Sequence, residues 1–216
     1  MMNTGDGTRE QAWRTGQNSR VMDAESGDAA RDRALALAAR GGDRQAFASL
    51  IRHHQARLFN FLLRLLGRRE EAMDLTQDTF LKAWSALPDW QPAARFSTWL
   101  FQIGRNAAFD ALRRQQRIDF VSFDAGNPAD EPGDPAPSPE QQCADRQRLR
   151  LLERALAALP AEQREILLLR ELEDMSYAEL AVTLGVNEGT VKSRLARARA
   201  AALLHYRDYT GAHRDE

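Results

Sequence analysis

Residues 176–199, SYAELAVTLGVNEGTVKSRLARAR, constrain the fold more than any other part of the chain. Ser176 and Glu179 have the spacing of a capping box, which starts a helix. Gly185 suits the left-handed backbone that ends a helix, and Asn187 is a good N-cap for a second one. The stretch therefore predicts two short helices joined by a tight turn, the arrangement of a helix-turn-helix unit.

The second of these helices has an apolar face and a basic face. Val191, Leu195, Ala198 and Ala202 recur at helical spacing and predict the buried side. The opposite side is slim and basic, as a helix must be to enter the major groove of DNA. A merely solvated basic face is the competing interpretation, because runs of charge are common on surfaces. The candidate DNA-contacting residues on this helix are Thr190, Lys192, Ser193, Arg194, Arg197 and Arg199.

Charge is segregated along a chain whose formal net charge is only −1. Residues 105–117 carry four arginines and one aspartate, and residues 188–199 carry four bases and one glutamate. Residues 118–145, which lie between them, have seven acids and no lysine or arginine. Two basic helices separated by an acidic stretch suggest two contacts with one polyanion. In the free chain, the acidic stretch could also lie over either basic helix and inhibit it.

Helical periodicity runs through residues 43–117, and no strand pattern is evident anywhere. One helix is predicted between its N-cap Asp43 and Gly67 at its end. Ser97 is the predicted N-cap of a later helix that carries several arginines. Between these two lies a helix whose predicted buried stripe is Met73, Phe80, Trp84 and Leu87.

Residues 118–138 are rich in proline and aspartate and predict an extended, self-repelling linker. Ser138 as N-cap and Pro139 at the first helical position predict the next helix. Its expected apolar stripe is Leu149, Leu152, Leu156 and Leu159. The predicted fold is all-α, with two small helical domains. The predicted ranges are a disordered tail at 1–30, a domain at 31–117, the linker at 118–138, a domain at 139–207 and a tail at 208–216.

Several functional classes have little support in the sequence. The single cysteine, Cys143, excludes an intrachain disulfide and fits a reducing cytoplasm. No apolar run approaches the roughly 18 residues of a transmembrane helix, and no signal peptide is evident. His53 and His54 are adjacent and are expected to point to different sides of a helix, so no metal site is predicted. No catalytic motif appears, and we expect no enzyme activity and no cofactor.

Three stretches occur in an order that resembles one protein family. They are DLTQDTFLKAW at 74–84, RFSTWLFQIGRNAAFD at 95–110, and the helix-turn-helix at 176–199. Together they resemble the extracytoplasmic-function (ECF) sigma factors of bacterial RNA polymerase. The resemblance implies sigma region two, a flexible linker and sigma region four. It also implies three kinds of partner: core RNA polymerase (β′ clamp helices and β subunit), promoter DNA and an anti-sigma factor.

The resemblance implies roles for individual residues. The helix at 74–84 would dock on the β′ clamp helices, through Asp74, Gln77, Asp78 and Leu81. The loop at 88–96 and the following helix would open the −10 element, through Trp90, Phe96, Arg105, Asn106, Arg113 and Arg114. Phe96 and Trp99 have an alternative interpretation as core residues. The second helix of the helix-turn-helix would read the −35 element.

An ordinary helix-turn-helix regulator remains the alternative function. Such a protein would bind duplex DNA specifically without becoming a polymerase subunit. A sigma factor is instead expected to bind duplex DNA weakly by itself and to become specific in the holoenzyme. The combination of an acidic docking helix, an aromatic loop and an arginine-rich helix at 74–110 favours the sigma factor.

Overall fold

The computed structural model describes residues 27–92, 94–119 and 139–211, and within these ranges the chain is helical without a β-strand. The predicted all-α class is confirmed. The helices are α1 (27–40), α2 (Arg44–Leu66), α3 (Arg69–Ala86), α4 (Phe96–Asp119), α5 (Pro139–Ala157), α6 (Ala161–Glu171), α7 (Tyr177–Leu184) and α8 (Glu188–Gly211). A short 3-10 helix, Leu87–Asp89, follows α3.

Two predicted domain limits fall inside helices. Helix α1 already begins at residue 27, within the predicted tail, and α8 continues past 207 to Gly211. The tail residues 1–26, the linker residues 120–138 and the N-cap Ser138 lie outside the described residues.

Helices α1 to α4 form the first unit, around a core supplied mainly by α2. Leu58, Phe61 and Leu62 are buried there, and the Phe61 ring lies 5.4 Å from that of Phe101 on α4. Gly104 lets α4 approach closely, because a Cβ on this residue would lie 2.9 Å from a methyl carbon of Leu58. The helices therefore pack at a distance that a larger side chain would prevent.

The caps of the first unit follow the predictions in part. The Asp43 carboxylate accepts hydrogen bonds from the N–H groups of Gln45 (2.8 Å) and Ala46 (3.1 Å), which starts α2. Gly67 ends this helix with φ at 74°. The predicted N-cap Ser97 is wrong. Helix α4 begins earlier, at Phe96, because the Arg95 carbonyl already accepts the Trp99 N–H at 3.2 Å.

Two predicted apolar stripes need correction. On α3, Met73 is exposed and the buried face contains Leu75, Thr79 and Ala83, although Phe80 and Leu87 are buried as expected. On α5, Leu151 and Ala155 are buried, whereas Leu149 and Leu152 are exposed; Leu159, just after the helix, is buried as expected. In both helices, large apolar residues fall on more than one face, so their spacing supports two competing stripes. Contacts with distant helices decide between them.

Helices α5 to α8 form the second unit, which packs directly against the first. Helix α6 contacts α2, and α7 contacts α4. Arg164 on α6 donates to the carbonyls of Leu65 (2.9 Å) and Arg64 (3.4 Å) at the end of α2, and also to three carbonyls around the end of α5. One guanidinium therefore satisfies terminal carbonyls of two helices.

Candidate nucleic-acid and partner-binding surfaces

The helix-turn-helix unit has the predicted local chemistry. Ser176 and Glu179 cap α7 reciprocally: the Ser176 hydroxyl accepts the Glu179 N–H at 3.2 Å, and Glu179 accepts the Ser176 N–H at 2.9 Å. Gly185 ends α7 with φ at 65°. The Asn187 side chain accepts the Thr190 N–H at 2.8 Å and starts α8. These bonds define the turn and the direction in which α8 leaves it.

Helix α8 turns its basic face outward. Val191, Leu195 and Ala198 are fully buried, as predicted. The candidate DNA-contacting residues lie on the other faces, where Thr190 is half-buried and the rest are exposed: Lys192, Ser193, Arg194, Arg197 and Arg199. The first of these residues lie in the N-terminal turns of the helix, the part that reaches base edges in a helix-turn-helix complex, and Arg199 lies farthest from the helix start.

Two of these basic residues also contact neighbours in the same unit. Arg199 donates to the Glu171 carboxylate at 2.7 Å, and this bond raises the pKa of the guanidinium. The Lys192 ammonium lies 5.9 Å from the centre of the Tyr177 ring. Both contacts are at the surface, so DNA phosphates could replace them at little cost.

Helix α3 presents the surface predicted to bind polymerase. Asp74, Gln77 and Asp78 are exposed, and Leu81 has 66% of its surface accessible. Met73, which sequence reasoning placed in the core, is 45% exposed. It lies one helical turn before Gln77 and two before Leu81, so it extends the same face. We call residues 73, 74, 77, 78 and 81 the α3 face.

The loop before α4 differs from the predicted single-strand site. Trp90 and Phe96 are only 3% and 2% exposed, so the expectation that they offer free surface to DNA bases is wrong for this conformation. The Phe96 ring lies 6.2 Å from Trp90 and 5.7 Å from Trp99, within an aromatic cluster. The core interpretation of Phe96 therefore fits the structure, and Trp99 is half-buried. The indole N–H of Trp90 is buried without a hydrogen-bond partner in the described part of the chain.

The polar candidates on α4 have three different surroundings. Asn106 and Arg114 are exposed, and Arg113 is exposed while it pairs with Asp110. Arg105 is different, because its guanidinium forms a two-point ion pair with Glu165 of α6. Of the polar residues predicted for the −10 element, Arg105 is thus the one that the second unit covers.

Asp32, His53 and His54 form a cluster that sequence reasoning missed. The Asp32 carboxylate accepts from the Nδ1 of His53 and from the Nε2 of His54, both at 2.8 Å. The expectation that the two histidines point to different sides is therefore wrong, since both reach one carboxylate on α1. Burial opposes ionisation of Asp32, but the bonds and charges of His54 and His53 outweigh it and lower the pKa of this carboxyl. The cluster ties α1 to α2.

The helix-turn-helix unit with its exposed basic helix has the features of a helical DNA-binding protein. Two protein-family models match the chain: Sigma-70 region 2 at residues 50–118 and Sigma-70, region 4 at residues 149–201. The ECF sigma factor SigE of Mycolicibacterium smegmatis is 37% identical over 180 residues, which are 81% of this chain and 66% of that protein. The sigma factor CnrH of Cupriavidus metallidurans is 37% identical over 175 residues, 78% of this chain and 91% of CnrH.

Solved structures agree with these sequence matches. CnrH in complex with the cytosolic domain of CnrY has a TM-score of 0.61 at 30% identity, covering 81% of this chain and 96% of that one. RpoE of Bartonella quintana in complex with the anti-sigma factor NepR has a TM-score of 0.63 at 27% identity, covering 74% and 96%. The chain belongs to the ECF sigma factors of bacterial RNA polymerase. It is a transcription initiation factor, and the matches do not favour the alternative function of an ordinary helix-turn-helix regulator.

None of the helices in the described ranges has the length and hydropathy of a bilayer-spanning segment.

Proposed function

We propose that the three surfaces act together in promoter recognition. The α3 face binds core RNA polymerase, the exposed polar residues of α4 contact the −10 element, and the basic face of α8 reads the −35 element. The exposed leucine within the acidic α3 face carries this proposal. A solvated face explains Asp74 and Asp78, but it does not explain why Leu81 and Met73 on the same face are 66% and 45% exposed; grouped apolar exposure of this kind marks interaction sites.

The −10 contact has to be revised at the residue level. Trp90 and Phe96 support the loop from inside the core, and the surface left for DNA consists of Asn106, Arg113 and Arg114, with Arg105 beside them. Cations of this kind bind the phosphates of a separated strand. Strand separation in the holoenzyme would bring bases to this surface, and the chain itself supplies binding energy and no catalysis.

The proposal also includes a protein regulator. Two structurally similar sigma factors were solved as complexes with CnrY and with the anti-sigma factor NepR. We propose that this chain too is held by an anti-sigma factor and that it acts in the cytoplasm, where its polymerase is. An apolar groove between α5, α6 and α8, with a volume of about 750 Å³, supports a helical partner. Its lining includes Leu149, Leu152, Leu172, Leu203 and Tyr206.

Binding to core polymerase tests the proposal. Purified full-length chain is mixed with bacterial core RNA polymerase and separated by size exclusion. We expect co-elution of the chain with core enzyme, and we expect weak, poorly specific binding of the isolated chain to duplex DNA. Tight and specific duplex binding without co-elution would identify an ordinary regulator instead.

A further inference from the structure

The ion pairs between the two units all have the same direction of charge. Four Arg–Glu pairs cross it among the described residues, and the arginine belongs to the first unit in each case. The pairs are Arg57–Glu173, Arg64–Glu153, Arg95–Glu179 and Arg105–Glu165. The second unit thus places carboxylates against the basic side of the first unit.

The Arg105–Glu165 pair is the most buried of the four. Glu165 is 2% exposed, and both of its oxygens accept from Arg105, with the Nη2–Oε2 distance at 3.2 Å. The same guanidinium donates to the Asn106 side chain at 3.1 Å and lies 4.8 Å from the centre of the Phe109 ring. A carboxylate and a phosphate present similar paired acceptors to a guanidinium, so either can occupy this site.

Other polar contacts also join the two units. Arg57 donates to Glu173 at 2.9 Å, and the Thr98 hydroxyl donates to Glu179 at 3.1 Å. Burial raises the pKa of Glu165 and of Glu173, and the partner arginines offset this only in part. The closed contact therefore places carboxylates in surroundings that disfavour their charge. A buried pair of this kind adds little net stability, because the cost of removing both charges from water offsets much of their attraction.

We propose that the chain inhibits its own −10 contact in this closed conformation, with the Glu165 carboxylate occupying Arg105 in place of a DNA phosphate. This inference rests on the proposed role of α4 in DNA binding. Release requires the second unit to move away from the first, which extended binding of both units to core polymerase would bring about. The inhibiting acids of this proposal lie in the folded second unit, whereas the acidic stretch at 118–145 that the sequence suggested lies largely outside the described residues.

A pair of matched variants in the full-length free chain tests this mechanism. Glu165→Gln removes the negative charge that pairs with Arg105 and keeps the shape of the side chain. Glu162→Gln makes the same change at an exposed residue one turn earlier on α6. Spin labels on cysteines introduced at the exposed positions Ser85 and Ala200, in a Cys143→Ser background, report the distance between the units. The DNA probe is a fluorescent single-stranded 12-mer of mixed sequence.

We expect Glu165→Gln to add a population with a longer distance between the labels. It should also raise affinity for the 12-mer about threefold to tenfold, because a larger fraction of the molecules leaves Arg105 free to bind DNA. Glu162→Gln should change neither, and adding Arg105→Ala to Glu165→Gln should abolish the gain. Circular dichroism confirms that each variant is folded.

Two results would overturn the inference. In the first, Glu165→Gln behaves like Glu162→Gln in both measurements. Glu165 then neither holds the two units together nor masks Arg105. In the second, the distance lengthens with no gain in binding, and Arg105 is then not masked from DNA. Failure of the wild-type chain to bind core polymerase would contradict the proposed function instead, and it is measured separately.

Discussion

Arg57 on α2 donates to the Glu173 carboxylate at 2.9 Å, joining residues 116 positions apart in the chain. Glu173 belongs to the turn between α6 and α7, so the pair connects the first unit to the segment that precedes the helix-turn-helix. The orientation of α8 relative to the α3 face is thus set partly by charges between the units.

The first prediction concerns the α3 face. Asp78→Lys should weaken binding to core polymerase at least tenfold, because it reverses a charge in the centre of the proposed interface. The free energy of unfolding should change by less than about 0.5 kcal/mol, since Asp78 is exposed. Asp208→Lys, at an exposed acid on α8, is the control. Equal affinities of the two variants in a binding titration would remove the α3 face as the docking site.

The second prediction separates base contacts from phosphate contacts on α8. Arg197→Ala should weaken binding of the holoenzyme to its cognate promoter by about 1–3 kcal/mol. It should also reduce the preference for particular bases at one or two −35 positions. Arg199→Ala should weaken binding to all promoters about equally. The slope of log affinity against log salt concentration should become shallower by roughly one unit. Holoenzyme affinity for single-base −35 variants at several salt concentrations measures both. If Arg197, Lys192 and Ser193 can all be replaced by alanine with base preference unchanged, α8 is only a solvated basic face.

The third prediction concerns pH and Asp32. The pKa of this carboxyl is lowered in the folded chain, so its contribution to stability is complete above the unfolded value of about 3.9. It is lost as pH falls through the lower, folded pKa. Asp32→Asn should therefore lower the free energy of unfolding by about 1–3 kcal/mol at pH 7 and by progressively less below pH 4. Denaturant unfolding at several pH values checks this, with Asp28→Asn as the exposed control on α1. A cost that does not vary with pH would show that ionisation of Asp32 plays no part.

The fourth prediction tests the close approach of α4. Gly104→Ala should destabilise the chain by about 1–3 kcal/mol, because the new Cβ would lie 2.9 Å from the buried Leu58. Gly211→Ala has open space around its position and should have little effect on the free energy of unfolding. Thermal and denaturant unfolding of the two variants give the comparison. A stabilising Gly104→Ala would mean that Leu58 moves freely and that the helices are not closely packed there.

Local chemistry explains which parts of the structure could be predicted from the sequence. Ser176 with Glu179, Gly185, and Asn187 act within a few residues, so the helix-turn-helix and its exposed face follow from spacing alone. The exposure of Met73 and the burial of Trp90 depend on which distant helices pack nearby, and periodicity did not decide them. The Arg105–Glu165 pair joins residues 60 positions apart, and no local pattern indicates it.

Promoter-selective initiation tests the central claim most directly. Core polymerase alone and core polymerase with this chain transcribe the same library of genomic DNA fragments from the source bacterium, and the 5′ ends of the RNA are sequenced. We predict new 5′ ends that depend on the chain and share one sequence motif near −35 and another near −10. Lys192→Ala combined with Arg197→Ala should remove most of them. A set of 5′ ends identical with and without the chain would contradict the assignment of this protein as a sigma factor.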